Sequence, residues 1–237
     1  MSLIKFGRHL RFRVDELRDA LVVSVVFAVI VSLGYQSTGD LVTRSEWMSY
    51  LLVILFFSLV MMGVYIFSQK AVGIMLGYDV KFQIWYLGLL VGVMFGFLSK
   101  GAIYLLIPGA VFVKTIPSLR IGKYFSGYTF REDAWIHFLG LAFLLVFAMA
   151  LKPFAAASPI FGTFIAMCIA VALFGMLPLP YLAGGKILFS SKFLYLFSVG
   201  YLIVFSAMLL YSTVLLTLFT SVVGGLLFML CYHFIRD

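Results

Sequence analysis

The stretch 65–69, which reads YIFSQ, has the spacing of a metal site and lies at the end of a long apolar run. Its first and last residues are four apart, so they share one face of a helix. Two histidines at this spacing can hold a zinc ion. Here the two positions are Tyr65 and Gln69, and the stretch is either the remnant of a catalytic site or an ordinary helix end.

Two other groups of residues could do chemistry. Asp133 and His137 are four apart and close to Glu132, which is compatible with a metal site or a proton relay, or with a charged helix start that caps its free N–H groups. Ser68 and Lys70 have the residue types of a serine–lysine hydrolase pair. At i and i+2, however, they point away from one another on a helix.

Catalysis by zinc would need about three protein ligands and a group that handles protons. Of the nine carboxylates only Asp19 falls within a predicted span, at its very edge. The three histidines, His9, His137 and His233, lie at predicted cytoplasmic helix ends or in the amino-terminal segment. Cys168 and Cys231 lie inside apolar runs and are predicted to be core residues rather than a disulfide. The sequence therefore predicts no metal, no cofactor and no hydrolysis inside the membrane.

The composition indicates a polytopic membrane protein that forms a single integral membrane domain over 1–237. Of its 237 residues 64% are apolar and only 11% are charged, and several runs reach the roughly 18 to 20 apolar residues that cross a bilayer. The net charge of +8 comes from basic residues scattered along loops. That distribution predicts contact with membrane lipids and no binding of nucleic acid.

Six apolar runs are predicted to span the membrane as helices. They are Leu17–Gly34, Met48–Gln69, Trp135–Leu151, Pro159–Leu179, Phe193–Tyr211 and Val214–Phe234. The region 85–113 is ambiguous, because Ser99-Lys100-Gly101 divides it into two pieces that are each too short to cross as a helix.

The distribution of positive charge favours one topology for 85–113. If this region crosses the membrane, as a glycine-rich tilted helix, the chain has seven spans and its basic residues divide equally between the two sides. If it enters and returns on one side, only Arg44 and Lys152 face outward, with Lys100 at the tip of the hairpin. The second pattern obeys the positive-inside rule. We therefore expect an all-α protein of the cell membrane with six transmembrane helices, both termini cytoplasmic, and a re-entrant hairpin of helical or β structure between the second and third.

This topology divides the chain into four parts. They are a cytoplasmic amphipathic segment 1–16, helices one and two with the hairpin over 17–113, a cytoplasmic loop 114–134, and helices three to six over 135–237. Non-helical backbone at membrane depth must be buried in protein or line a water-filled cavity. We therefore expect the hairpin to pack beside the end of the second helix.

Three stretches, in order, resemble the site-2 protease family of zinc intramembrane metalloproteases, especially its compact archaeal-type members. YIFSQKAVGIMLGYDVKFQIW at 65–85 resembles the family's His-Glu-x-x-His helix end with the turn and hairpin that follow it. LIPGAVFV at 106–113 resembles the segment after the hairpin. GMLPLPYLAGGKI at 175–187 is similar to the loop Asn-x-x-Pro-x-Pro-x-Leu-Asp-Gly, whose aspartate is the third zinc ligand.

Carried over position by position, the resemblance implies a site without its chemistry. Tyr65 and Gln69 stand at the two histidine positions, Ile66 at the catalytic glutamate, and Ala183 at the aspartate. The resemblance thus implies a degenerate, non-catalytic member, a pseudoprotease. In active members a substrate helix unwinds and pairs with the edge of the hairpin, and edge pairing needs only backbone groups.

The sequence therefore predicts a protein that binds or scaffolds other membrane segments, such as a client helix, as a subunit of a membrane complex. The candidate groove residues are Tyr65, Gln69, Pro108, Gly109, Pro178, Pro180 and Gly184. One alternative is a transporter or lipid-handling protein that uses the hairpin cavity. Another is an enzyme whose missing metal ligands come from a partner chain.

Overall fold

The computed structural model describes residues 12–36, 43–101, 104–116, 129–155 and 158–236. Most of the predicted segment 1–16 and most of the predicted loop 114–134 therefore lie outside the described residues. The elements in chain order are α1 (Val14–Gln36), α2 (Arg44–Leu76), β1 (Tyr78–Gln83), α3 (Tyr86–Leu98), β2 (Ala110–Thr115), α4 (Phe130–Ala150), α5 (Lys152–Ala155), α6 (Pro159–Gly175), α7 (Ala183–Ser190), α8 (Lys192–Tyr211) and α9 (Val214–Arg236).

The described chain is an all-α multi-pass membrane protein in outline, 80% helical. Within the described ranges, α1, α2, α4, α8 and α9 are long and apolar enough to cross a bilayer. They carry large exposed apolar side chains such as Phe56, Phe219 and Leu227, as lipid-facing helices do. The run predicted as a sixth span forms α6, which has 17 residues, so its crossing stays a prediction.

The second helix is longer than its predicted span. It begins behind Thr43, whose side chain forms a capping box with Glu46. It ends at Gly77, which has a φ of 85° and donates its N–H to the carbonyls of Gly73 and Ile74. The stretch 65–69 consequently lies inside the helix, about two turns before its end.

The region between the second and third long helices begins and ends in one antiparallel pair of strands. In the register of β1 and β2, Tyr78 is opposite Thr115 and Gln83 is opposite Ala110. The two ends of the intervening chain, next to Gln83 and Ala110, are therefore adjacent in the structure. Its turn lies at Ser99-Lys100-Gly101, where Lys100 and Gly101 have positive φ angles of 51° and 73°.

This hairpin unit, residues 78–115, runs along most of α1. At its base the N–H of Ile84 donates to Asp19. At its tip Gly101 packs so closely on Gly34 that a Cβ on Gly101 would lie 2.0 Å from the Gly34 nitrogen. Asp19 and Gly34 are about 22 Å apart along a helix axis at 1.5 Å per residue. Helix α3 runs from the base of the hairpin to its tip, and residues 104–109 lead back to β2 without regular structure.

Helix α4 is the centre of the bundle, because it packs against α2 on one side and α7 on another. It begins at Phe130, five residues before its predicted span, so Glu132, Asp133 and His137 all belong to it. The core contains Ile136, Leu141 and Leu144 of this helix. Helices α8 and α9 form an antiparallel pair at the end of the chain.

Candidate functional site: the base of the hairpin

Tyr65 and Gln69 lie in the contact between α2 and α4. Their exposed fractions are 1% and 0%. Gln69 packs on Gly140, where a Cβ would lie 2.3 Å from the Gln69 Cγ, and the Ser68 hydroxyl donates to the Gly140 carbonyl over 3.3 Å. The Tyr65 hydroxyl interacts with the Gln69 side chain, and among the other described residues neither the amide oxygen nor the amide nitrogen of Gln69 has a hydrogen-bond partner. The two side chains are thus enclosed in protein.

The other predicted groove residues lie at two further places. Pro108 and Gly109 are buried immediately before β2, and Gly109 takes a φ of 122° because it passes close to the Gln83 carbonyl. Ala183 and Gly184 are buried at the start of α7, where Gly184 packs on the Met176 carbonyl. Pro178 and Pro180 are exposed in the preceding loop. Helix α4 contacts both α2, which carries Tyr65 and Gln69, and α7, which carries Ala183.

A buried ion pair fixes α1 to the end of α2. Lys70 Nζ lies 2.6 Å from Glu16 Oε2, and the two side chains are 5% and 1% exposed. The Lys70 ammonium also lies 5.1 Å from the centre of the Phe12 ring. The prediction that the second span ends at Gln69, just before Lys70, is wrong, because α2 continues to Leu76 and buries the Lys70 side chain.

The same carboxylates cover the outer edge of β1. Glu16 Oε1 accepts the N–H of Phe82 over 3.3 Å, and Asp19 Oδ2 accepts that of Ile84 over 3.2 Å. An unpaired strand edge exposes a row of backbone groups to pairing with another chain. Here α1 occupies the outward N–H groups of Phe82 and Ile84. Val80, between them and the start of the strand, is only 2% exposed because Gly73 of α2 packs against it. Helices therefore cover this edge against a further strand.

The start of β1 is fastened to α4. The Tyr78 hydroxyl donates to Glu132 Oε2 over 2.5 Å and accepts the N–H of Thr129. The pKa of Tyr78 is raised above its usual value of 10.0, mainly by burial and secondly by the hydrogen bond to Glu132. The hydroxyl therefore keeps its proton and its role as a donor through the neutral range.

The outer edge of β2 differs from that of β1. Outward and inward backbone groups alternate along an antiparallel strand. Val111 points outward, because its carbonyl accepts a hydrogen bond from Lys186 of α7. By alternation the N–H and C=O groups of Val113 and Thr115 point outward too, and no described residue bonds to them. This part of β2 is an open strand edge.

The open edge ends at Val111, because Lys186 occupies the carbonyl of that residue. The Lys186 ammonium lies on the Val111 carbonyl and 5.3 Å from the centre of the Phe112 ring. Burial lowers the pKa of Lys186 below its usual value, and the negative charge of Asp133 partly opposes that shift. Lys186 therefore links α7 and α4 to the strand.

No metal site is apparent in the described residues. His137 Nε2 lies 3.3 Å from Asp133 Oδ1, with both side chains buried. Apart from this pair, the described part of the chain brings together no group of three or more histidine, cysteine, aspartate or glutamate side chains. The positive charge of Lys186, which acts on both His137 and Asp133, also disfavours a cation between them.

Sequence reasoning missed Glu16 and Asp19 as functional candidates and considered Lys70 only as a partner of Ser68. Glu16 and Asp19 are three apart in the first turns of α1, and Lys70 follows Gln69 inside a helix that has no stop signal before Gly77. Charges inside an apolar helix usually find a partner in the protein. The position of Lys70 inside an apolar helix could have predicted an ion pair with a carboxylate, although the sequence alone does not identify Glu16 as the partner.

Comparison with protein-family models, curated proteins and solved structures finds no match to this chain.

Proposed function

We propose that this chain is a catalytically inactive relative of the site-2 proteases that binds extended segments of other membrane proteins at the outer edge of β2. The likeness rests on the three stretches at 65–85, 106–113 and 175–187 and on their order. The arrangement of a strand pair directly after α2 is compatible with that likeness. With Tyr65, Gln69 and Ala183 at the ligand positions, the inherited site offers no three-donor set for zinc.

The observation that carries the proposal is the difference between the two edges of the hairpin. The outward N–H groups of Phe82 and Ile84 are taken by Glu16 and Asp19. Val113 and Thr115 offer outward N–H and C=O groups without a partner in the described structure. An extended segment pairs with such an edge through backbone hydrogen bonds. The client therefore needs an unwound stretch rather than a particular residue type.

The proposed topology has six spanning helices, a hairpin that enters and returns on one side, and both termini on the cytoplasmic side. The pairing of β1 with β2 supports it, because residues 84 and 109 are brought to the same end of the unit. The distribution of basic residues supports the same orientation. The open edge would then face the cytoplasmic side of the cell membrane.

Photo-cross-linking with a proline variant tests the docking mode. A photoreactive amino acid at Lys114, beside the open edge, should cross-link to a membrane protein in native membranes. The same amino acid at Gln83, on the strand covered by α1, should give far less of that product. Val113→Pro removes the outward N–H without disturbing the pairing with β1, and it should abolish the cross-link at Lys114.

Val113→Ala is the matched control, because it shortens the side chain and keeps the N–H. It should retain most of the cross-linked product. If Val113→Pro and Val113→Ala reduce the product equally, the loss comes from packing and edge pairing is wrong. Equal products at Lys114 and Gln83 would contradict the assignment of the open edge.

A transporter or lipid-handling protein remains the second candidate. An apolar cavity of about 330 Å³ lies between the end of α6 and the start of α8, and its lining includes Met176, Pro178 and Tyr195. This cavity could hold an acyl chain, but it lies away from the hairpin. Filling it with Leu202→Trp should leave the cross-link at Lys114 intact if the chain is a binding protein.

A further inference from the structure

The outward face of the hairpin sheet concentrates positive charge around one aromatic ring. Lys81 is directly opposite Phe112 in the register of the strands, and Lys114 is two residues after Phe112 on the same face. The Lys186 ammonium lies 5.3 Å from the centre of the Phe112 ring. Phe112 is 41% exposed. We refer to Lys81, Phe112, Lys114 and Lys186 as the Phe112 face.

The negative charge near this face is already engaged. Asp79 is directly opposite Lys114 in the sheet, but its carboxylate lies 2.8 Å from the Arg13 guanidinium. Lys81 and Lys114 form no ion pair with any described residue. Residues at diagonal positions of a strand pair are about 7–8 Å apart, within reach of long side chains. The two ammonium groups can therefore converge on one anion.

The position of the face in the molecule indicates which anion it meets. The strands lie at the end of α2 and beside the start of α4, where, in the proposed topology, these two apolar helices leave the bilayer. Trp85 of the hairpin stacks on Tyr181 with the ring centres 5.6 Å apart, and tryptophan and tyrosine are enriched in the headgroup region. Lysines and an exposed aromatic ring at this depth meet lipid phosphates before they meet bulk water.

We propose that the Phe112 face binds the phosphate of an anionic phospholipid, with Lys81 and Lys114 contacting the phosphate oxygens and the Phe112 ring lying among the upper acyl carbons. Lys186 adds positive charge and hydrogen-bond donors to the site, because the Val111 carbonyl engages only one of its three N–H donors. The site is separate from the proposed strand-docking edge, since it uses side chains of the sheet face rather than backbone groups. It would anchor the base of the hairpin to one leaflet.

Native mass spectrometry of the purified full chain tests this site. The protein is titrated in detergent with phosphatidylglycerol or with phosphatidylcholine of the same acyl chains, and the bound fraction is measured. Wild type should prefer phosphatidylglycerol. Lys81→Gln and Lys114→Gln should each weaken its binding about fivefold, and the double variant more than tenfold. A large excess of inorganic phosphate should not displace the lipid, because the acyl chains contribute to binding.

Two matched variants distinguish a specific site from general attraction of lipid to a basic protein. Lys100→Gln removes an exposed lysine at the far tip of the hairpin and should leave the preference unchanged. The double arginine variant of Lys81 and Lys114 should retain it. If the double glutamine variant melts like wild type and still prefers phosphatidylglycerol to the same degree, the proposal is wrong. Equal loss with Lys100→Gln, or full displacement by inorganic phosphate, would also overturn it.

Discussion

Glu16 and Lys70 form an ion pair that is buried in the protein. Both side chains are almost fully buried, and Glu16 also accepts the N–H groups of Arg13 and Phe82. Burying a charge is costly unless it is paired and hydrogen-bonded. The pair therefore adds less net stability than its short distance suggests, but removing either partner is strongly unfavourable.

We predict that Glu16→Gln and Lys70→Met each destabilise the protein by about 3–5 kcal/mol, because each removes one charge of a buried ion pair. The double variant should lose much less than the two single losses added together. Thermal unfolding of the four proteins in one detergent measures this coupling. Additive losses would mean that the two side chains do not act as a pair.

The exposed pair Arg13–Asp79 is the internal control, with side chains 55% and 36% exposed. Exposed ion pairs contribute about 0–1 kcal/mol. Arg13→Gln and Asp79→Asn should therefore shift the melting temperature little. A loss as large as that of Lys70→Met would contradict the burial argument.

Lys186 predicts a pH dependence whose sign follows from its burial. Its pKa is lowered in the folded protein from a usual value of 10.5, so between the lowered and the usual value the unfolded chain binds more protons. Stability then rises with pH in that window. Lys186→Met abolishes the dependence, so its melting temperature relative to wild type should fall as the pH rises towards the usual Lys186 pKa of 10.5. If the difference in melting temperature between Lys186→Met and wild type stays constant with pH, burial does not disfavour the charged form of Lys186.

At the scale of elements, the contact between α2 and α4 depends on Gly140. Gln69 fills the space that a side chain at Gly140 would need. We predict that Gly140→Ala destabilises the protein by about 1–3 kcal/mol, because the buried amide must move in a packed interior. The free energy of unfolding, measured with a denaturant in mixed micelles, tests this.

Gly63 of the same α2 helix is the matched control. A Cβ at Gly63 would meet nothing within 4 Å, so Gly63→Ala should be neutral or stabilising by up to about 1 kcal/mol. If both alanine variants destabilise equally, the effect belongs to the helices in general and not to the Gln69 contact.

The elements show what sequence reasoning could reach and where it stopped. Hydropathy located the long helices, and Ser99-Lys100-Gly101 was correctly identified as a break, because lysine and glycine interrupt an apolar run. The prediction left the hairpin as helical or β, since each apolar half fits either state. Its strands form at the ends of that region, where β1 and β2 can pair, and this pairing is non-local.

The candidate site was less accessible to prediction than the helices. Family likeness pointed to Tyr65 and Gln69, but their enclosure against Gly140 depends on how α2 and α4 pack. The two edges of the hairpin differ because of Glu16, Asp19 and Lys186, which are distant from the strands in sequence. Periodicity carries no information about such contacts.

For the whole molecule, the topology of the hairpin has a direct consequence. If the chain enters and returns on one side, Lys81→Cys and Lys114→Cys should react with an impermeant maleimide from the same side of the membrane. Arg44→Cys, at the other end of α2, should react from the opposite side. The parent protein would carry Cys168→Ala and Cys231→Ser. Labelling of positions 81 and 114 from opposite sides would support seven spans instead.

The proposed function requires that the positions of Tyr65, Gln69 and Ala183 hold no metal ion. Metal analysis of the purified protein, with its melting temperature recorded before and after addition of zinc, tests this most directly. We predict far less than one zinc per chain and an unchanged melting temperature, because a specifically bound ligand stabilises the folded state. About one zinc per chain, with a rise in melting temperature that Gln69→Leu abolishes, would contradict it.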